Sequence, residues 1–148
     1  MRDAAGLALL CPLLPGRHDV PTGQVIADST EGDEGFRDYF VVRTPEMLAR
    51  YEQVVAPAAE LADWSALSRI GQSWELAATA VPYLRPTLIA TGRQDATVGY
   101  AGAYALLDQY PRATLAVLDA AGHALPHEQP QLLQALVREW LQRVRGAG

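Results

Sequence analysis

The chain has 148 residues, 49% hydrophobic and 20% charged, with a net charge of −5 and one cysteine. That length suits one domain burying roughly 70% of its unfolded surface, in an ordinary globular composition. An acidic balance without a Lys/Arg cluster argues against a nucleic-acid partner; one cysteine rules out an intrachain disulfide and fits a reducing, cytoplasmic setting.

Arg2 followed by the apolar run Ala4 to Leu14 has the outline of a signal peptide. Asp3 cancels the charge, Pro12 interrupts the run and no small-residue cleavage site follows. The run is too short to span a bilayer, so no membrane partner is expected. It suits a buried parallel strand better, Gly6–Cys11 (GLALLC), apolar on both faces. Pro15-Gly16 and Pro21-Thr22-Gly23 mark a loop. Asp28 to Asp38 (DSTEGDEGFRD) reads as an acidic, mobile surface loop.

Thr44-Pro45 then gives an N-cap with proline in the first helical turn. Met47, Leu48, Tyr51, Val54 and Val55 repeat at helical spacing, and Pro57 is expected to break that helix. Asp63 caps a second helix bearing Leu67 and Ile70. Residues Trp74 to Ala80 allow a third.

From Pro82 to Pro130 the chain reads strand, loop, helix, strand, loop. Thr87–Thr91 (TLIAT) and Ala113–Leu118 (ATLAVL) are short apolar runs suited to buried strands. Gly92 to Gly99 is turn-rich, and Tyr100–Gln109 is close to a helical stripe. Strand, helix, strand in this length makes a right-handed βαβ unit with parallel strands. Neighbouring strands lie about 4.8 Å apart. If these two strands are neighbours, Asp95 and His123 leave the same carboxyl-end edge side by side, where open α/β sheets place ligands. A carboxylate beside an imidazole fixes its tautomer and stabilises the imidazolium, as a general base requires. Pro130 opens a last helix, with Leu132, Leu133, Leu136, Val137, Trp140, Leu141 and Val144 in one apolar stripe; Arg138, Gln142, Arg143 and Arg145 lie off it or near its end.

The runs Gly92-Arg93-Gln94-Asp95, Ala121-Gly122-His123 and Glu128-Gln129-Pro130, followed by an amphipathic helix, resemble the C-terminal part of an α/β-hydrolase. The resemblance covers residues 4 to 144 and is strongest after Pro82. It implies an α/β class: a partial α/β-hydrolase fold of about three parallel strands with flanking helices. Residues 1–30 and 81–148 would form the core and 31–80 an inserted helical lid. The family's triad runs Ser, Asp or Glu, His along the chain. On that pattern His123 is the base and Asp95 its acid partner, with Asp19 as a rival acid after the preceding strand. No cofactor is implied.

The sequence departs from the family at the nucleophile, because it contains no G-x-S-x-G. Ser73, in Gly71-Gln72-Ser73-Trp74-Glu75, lacks the second glycine and follows a helix, where the strained strand-to-helix elbow cannot form. Ser29, Ser65 and Ser68 read as loop or helix-surface residues. Cys11 ends a strand on the right edge, and a Cys–His–Asp set is chemically sound. A lone cysteine in an apolar run is, however, more often a small buried hydrophobe. His123, His127 and Glu128 invite a metal, but Pro126 between the histidines removes the regular helical face, and no metal is expected. His18 reads as an exposed loop residue. Trp64, Trp74 and Tyr83 are candidates for an apolar acyl pocket or for core.

The expected function is that of a hydrolase acting on an ester-like or related small-molecule acyl substrate. Only its C-terminal half is represented, with acid and base but no nucleophile, so the chain alone should be nearly inactive. The strand Gly6–Cys11 would then be an apolar edge that pairs with another copy, swaps elements with one, or needs a separate N-terminal piece. The alternative is a non-enzymatic α/β remnant, serving as a dimer or as an apolar-ligand-binding module.

Overall fold

The computed structural model describes residues 4–14, 25–26, 32–73 and 81–147. Among them three strands form one sheet: β1 (Leu7–Leu10), β2 (Thr87–Gly92) and β3 (Ala113–Leu118), in the order β1-β2-β3. Both pairings are parallel, and the register aligns Leu7 with Thr87 and Thr87 with Ala113. The strand expectations hold to within about one residue at each end. Every residue of β2 is buried, as the apolar, β-branched run requires of a central strand.

Among the described residues four α-helices lie between β1 and β2: α1 (Glu34–Tyr39), α2 (Pro45–Arg50), α3 (Ala56–Glu60) and α4 (Trp64–Ser73). Helix α1 corrects the reading of Asp28 to Asp38 as loop throughout, for the described part of that stretch. The Asp33 side chain accepts from Phe36 N at 2.8 Å, which caps the helix, and Phe36 and Phe40, one turn apart, are fully buried. Thr44 caps α2 as expected, accepting from Met47 N at 3.3 Å. Pro57 does not break the chain's helical course. A π-turn over Tyr51–Val55, closed by Ala56 N donating to Tyr51 O, leads into α3 with Pro57 in its first turn. The wider turn tolerates a residue without an N–H where an ordinary helical interior would not. Asp63 accepts from Ala66 N at 2.9 Å and caps α4. The third helix expected over Trp74 to Ala80 lies outside the described residues.

The β2–β3 crossover is not one α-helix over Tyr100–Gln109. It is a 3₁₀ turn, Ala101–Ala105, followed by α5 (Leu106–Gln109). The run Ala101-Gly102-Ala103 buries only Ala103, too little side-chain packing to hold a full α-helix. After β3 come α6 (Leu125–Glu128) and the long α7 (Pro130–Arg145). On α7, Leu133, Leu136, Val137, Trp140 and Val144 are half-buried, whereas Leu132 and Leu141 are exposed, so the apolar stripe is narrower than expected. Arg143 does more than flank it: its guanidinium donates to Thr87 O (3.2 Å), Arg112 O (3.0 Å) and Thr114 Oγ1 (3.0 Å), capping the amino ends of β2 and β3.

Two apolar cores meet at the loop after β3. Cys11, Ala90, Leu118, Ala121 and Leu125 pack with Leu133 and Leu136 of α7. Phe36, Phe40, Met47 and Ala124 form the second core, with Val42, Leu48 and Tyr51 against it. Ala124 and Leu125 are consecutive, so the helical segment after β1 is packed onto the segment that follows His123.

Candidate active site

Asp95 and His123 meet at the carboxyl ends of adjacent strands, with His123 Nδ1 3.1 Å from Asp95 Oδ2. The aspartate follows β2 through a tight turn. Its other oxygen, Oδ1, accepts from Thr97 N at 2.8 Å and Val98 N at 3.0 Å, which locks the carboxylate in place. The Asp95 side chain is fully buried and that of His123 is 33% exposed. Burial pushes the Asp95 carboxyl upward, but the His123 hydrogen bond and the Val98 and Thr97 N–H groups outweigh it and hold it below the usual aspartate value. The result is a charged, oriented acceptor against an imidazole that still reaches solvent.

The two loops are zipped together by their backbones. Arg93 N donates to Leu118 O at 2.8 Å, and Gln94 N to Ala121 O at 2.9 Å. The buried Gln94 side chain repeats the link: Nε2 donates to Asp119 Oδ1 at 2.7 Å and Oε1 accepts from Ala121 N at 3.2 Å. Gly92 is required at this crossing, since a Cβ there would strike the carbonyl oxygens of Ala121 and Gly122.

Glu128 closes the site from below. Its Oε1 accepts from Val41 N (2.7 Å) and Val42 N (2.9 Å), and its Oε2 from Gly122 N (2.6 Å). Burial raises its carboxyl above the ordinary glutamate value despite those three donors, and the Asp95 charge adds to the rise. Tyr39, from α1, and His123 meet in a T-shaped arrangement, 6.2 Å between ring centroids. His127 points into the aromatic cluster instead, 5.8 Å from Phe40; burial, then the Arg50 charge, favours its neutral form.

Cys11 reaches the same place from β1. Its thiol is 3.9 Å from Gly122 O, and burial pushes its pKa up to about 12, with the Asp95 and Glu128 charges adding to the effect. A thiol so disfavoured as thiolate is not a poised nucleophile. A thiol, a carboxylate and an imidazole nitrogen lie here within 4.8 Å of one another. That donor set suits a soft cation, but both Asp95 oxygens already hold hydrogen-bond partners within the protein. Ser65 Oγ donates to Asp63 at 2.8 Å at the start of α4, Ser68 is exposed, and Ser73 ends α4, a helical setting unlike an elbow. Trp64 is 64% exposed and so is not a core residue, and Tyr83 donates to Ala4 O, on the segment that leads into the amino end of β1. Asp19, His18, Ser29 and Trp74 lie outside the described residues.

Gln94 and the clamping role of Glu128 are not foreseeable from sequence. The only available signal is the Glu128-Gln129-Pro130 run, which marks a helix entry and not a hydrogen-bond partner 86 residues away.

Three parallel strands with flanking helices make this a partial α/β-hydrolase fold. An α/β superfamily hydrolase from Oenococcus oeni PSU-1 matches 95% of the chain with a TM-score of 0.78 at 20% identity. A bacterial membrane phospholipase A matches 95% with a TM-score of 0.63 at 21% identity. A proline iminopeptidase-related protein from Thermus thermophilus matches 98% with a TM-score of 0.56 at 21% identity. The chain spans 58%, 50% and 58% of those proteins respectively. At such identity the likeness is one of fold. No protein-family model matches the chain, and neither does any curated relative. No helix among the described residues is long and apolar enough to cross a membrane.

Proposed function

We propose that the chain is the acid–base portion of an α/β-hydrolase, with His123 as general base and Asp95 as the carboxylate that orients it. One observation carries this reading: the 3.1 Å contact between Nδ1 and Oδ2 across two adjacent strand tips. With Nδ1–H donated to Asp95, the imidazole presents Nε2 as its basic nitrogen. A serine placed there by a complementary segment gives its proton to Nε2 and attacks the carbonyl of an ester-like acyl substrate. His123 then returns the proton to the leaving group and activates water for deacylation, while Asp95 stays charged and steadies the imidazolium.

The helices over residues 34–73 act in this reading as a lid. Tyr39 facing His123 supports that role. So does the core shared between Phe36, Phe40 and Ala124. Losing the nucleophile of such a triad costs on the order of 10⁶ in turnover, and each oxyanion donor on the order of 10². The chain alone is therefore nearly inactive.

Fluorophosphonate labelling tests the reading. The purified chain should not react. An affinity-tagged chain recovered from its own cells should carry a labelled serine, on itself or on a companion polypeptide, and His123→Ala should abolish the labelling. A recovered assembly without a labelled serine would contradict the proposal.

A second reading, an α/β module without chemistry that holds an apolar ligand, draws support from a groove of about 470 Å³ between β3 and α7. Ala116, Val117, Leu132 and Leu136 line it, and among the described residues none from 32–73 does.

A further inference from the structure

We propose that Glu128 is a positioning residue: its carboxylate ties the backbone of Val41 and Val42, where the chain leaves lid helix α1, to Gly122, and thereby sets where His123 stands beside Asp95. The inference rests on the reading of His123 as the base and adds to it the group that couples lid and base. Three backbone N–H groups converge on the two Glu128 oxygens at 2.6 to 2.9 Å, from two segments far apart in the chain, Val41–Val42 and Gly122. Both ends of the bridge lie within two residues of working parts. Gly122 directly precedes His123. Val41 follows Phe40, and Tyr39, whose ring faces His123, precedes that. The short helix α6 exists to carry Glu128 back under the loop, with His127 N and Glu128 N both returning to Ala124 O at 2.8 and 3.1 Å. Only a carboxylate offers acceptors on both sides. An amide keeps one and turns an NH₂ group against the N–H at the other end.

Nuclear magnetic resonance on the full chain tests this, using Glu128→Gln and, as control, Leu133→Ala, which loosens the other core without touching the bridge. In the wild type the Gly122 amide should be protected from exchange. Glu128→Gln should cut that protection by about tenfold or more, the loss of one charge-assisted bond. It should also displace the His123 ring resonances. Leu133→Ala, even at an equal loss of melting temperature, should leave those resonances in place. Should Glu128→Gln not fold, Glu128→Asp, which keeps the charge but shortens the reach, is read in the same way. His123 signals unmoved in the Glu128 variant, or moved as far in the control, would overturn the proposal. Asp95→Asn separates this from failure of the base reading: if that change leaves the His123 ring untouched, no Asp95–His123 pair exists, whatever Glu128 does.

Discussion

A carboxylate sealed from water is normally driven to pick up a proton, and Asp95 resists because three donors face it. Those donors make its folded pKa lower than its unfolded one. Its contribution to stability is therefore present above the ordinary aspartate value of 3.8 and is lost as pH falls through the lowered native value. Asp95→Asn removes the titrating group. At neutral pH it should destabilise the chain by about 1–3 kcal/mol, because buried donors lose their charged acceptor. Below pH 3.8 the gap between variant and wild type should close, as urea unfolding across pH can measure. Parallel curves would mean that Asp95 is not held as an anion. The pair itself is legible in sequence on the condition that the two strands are neighbours, because each residue follows a buried-strand run by a short turn, and the sheet order meets that condition. Gln94 and Glu128 are not legible. A polar residue in a loop, or at the end of a four-residue helix as Glu128 is, carries no periodicity, and its partners depend on which segments the fold lays side by side.

At the scale of elements, the central strand and its two loops form one rigid unit, and Gly92 is where its backbones cross. Gly92→Ala forces a Cβ onto the carbonyls of Ala121 and Gly122, so it should cost more than about 2 kcal/mol. Gly71→Ala, on exposed α4 with open space around it, should instead stabilise the chain by up to about 1 kcal/mol. Thermal unfolding of both variants is the check, and a mild Gly92→Ala would show that the loops do not touch. The strands can be read from sequence because apolar β-branched runs have few other fates. The helical segment is harder. Charges around Phe36 mask a capped helix whose apolar signal is two aromatics one turn apart. Pro57 is a sound breaker, except that a π-turn absorbs it.

On the scale of the whole molecule, β1 has only β2 as a sheet partner among the described residues, and Leu10 on it is 42% exposed. Trp64, Leu67 and Ile70 add an exposed apolar stripe along α4. A net charge of −5 is modest cover for that much apolar surface. The chain should therefore associate, with a second copy along the β1 edge or with the segment that supplies the serine. Light scattering that finds a stable monomer at high concentration would count against this. An assembled form gives the most direct test of the account: nitrophenyl-ester turnover by the tagged chain recovered with its native companions, in wild type, His123→Ala, Asp95→Asn and the double variant. His123→Ala should lower turnover by about 10³ or more, and the double variant should be no worse, since the two residues act as one unit. Turnover indifferent to both substitutions would contradict the assignment of acid and base.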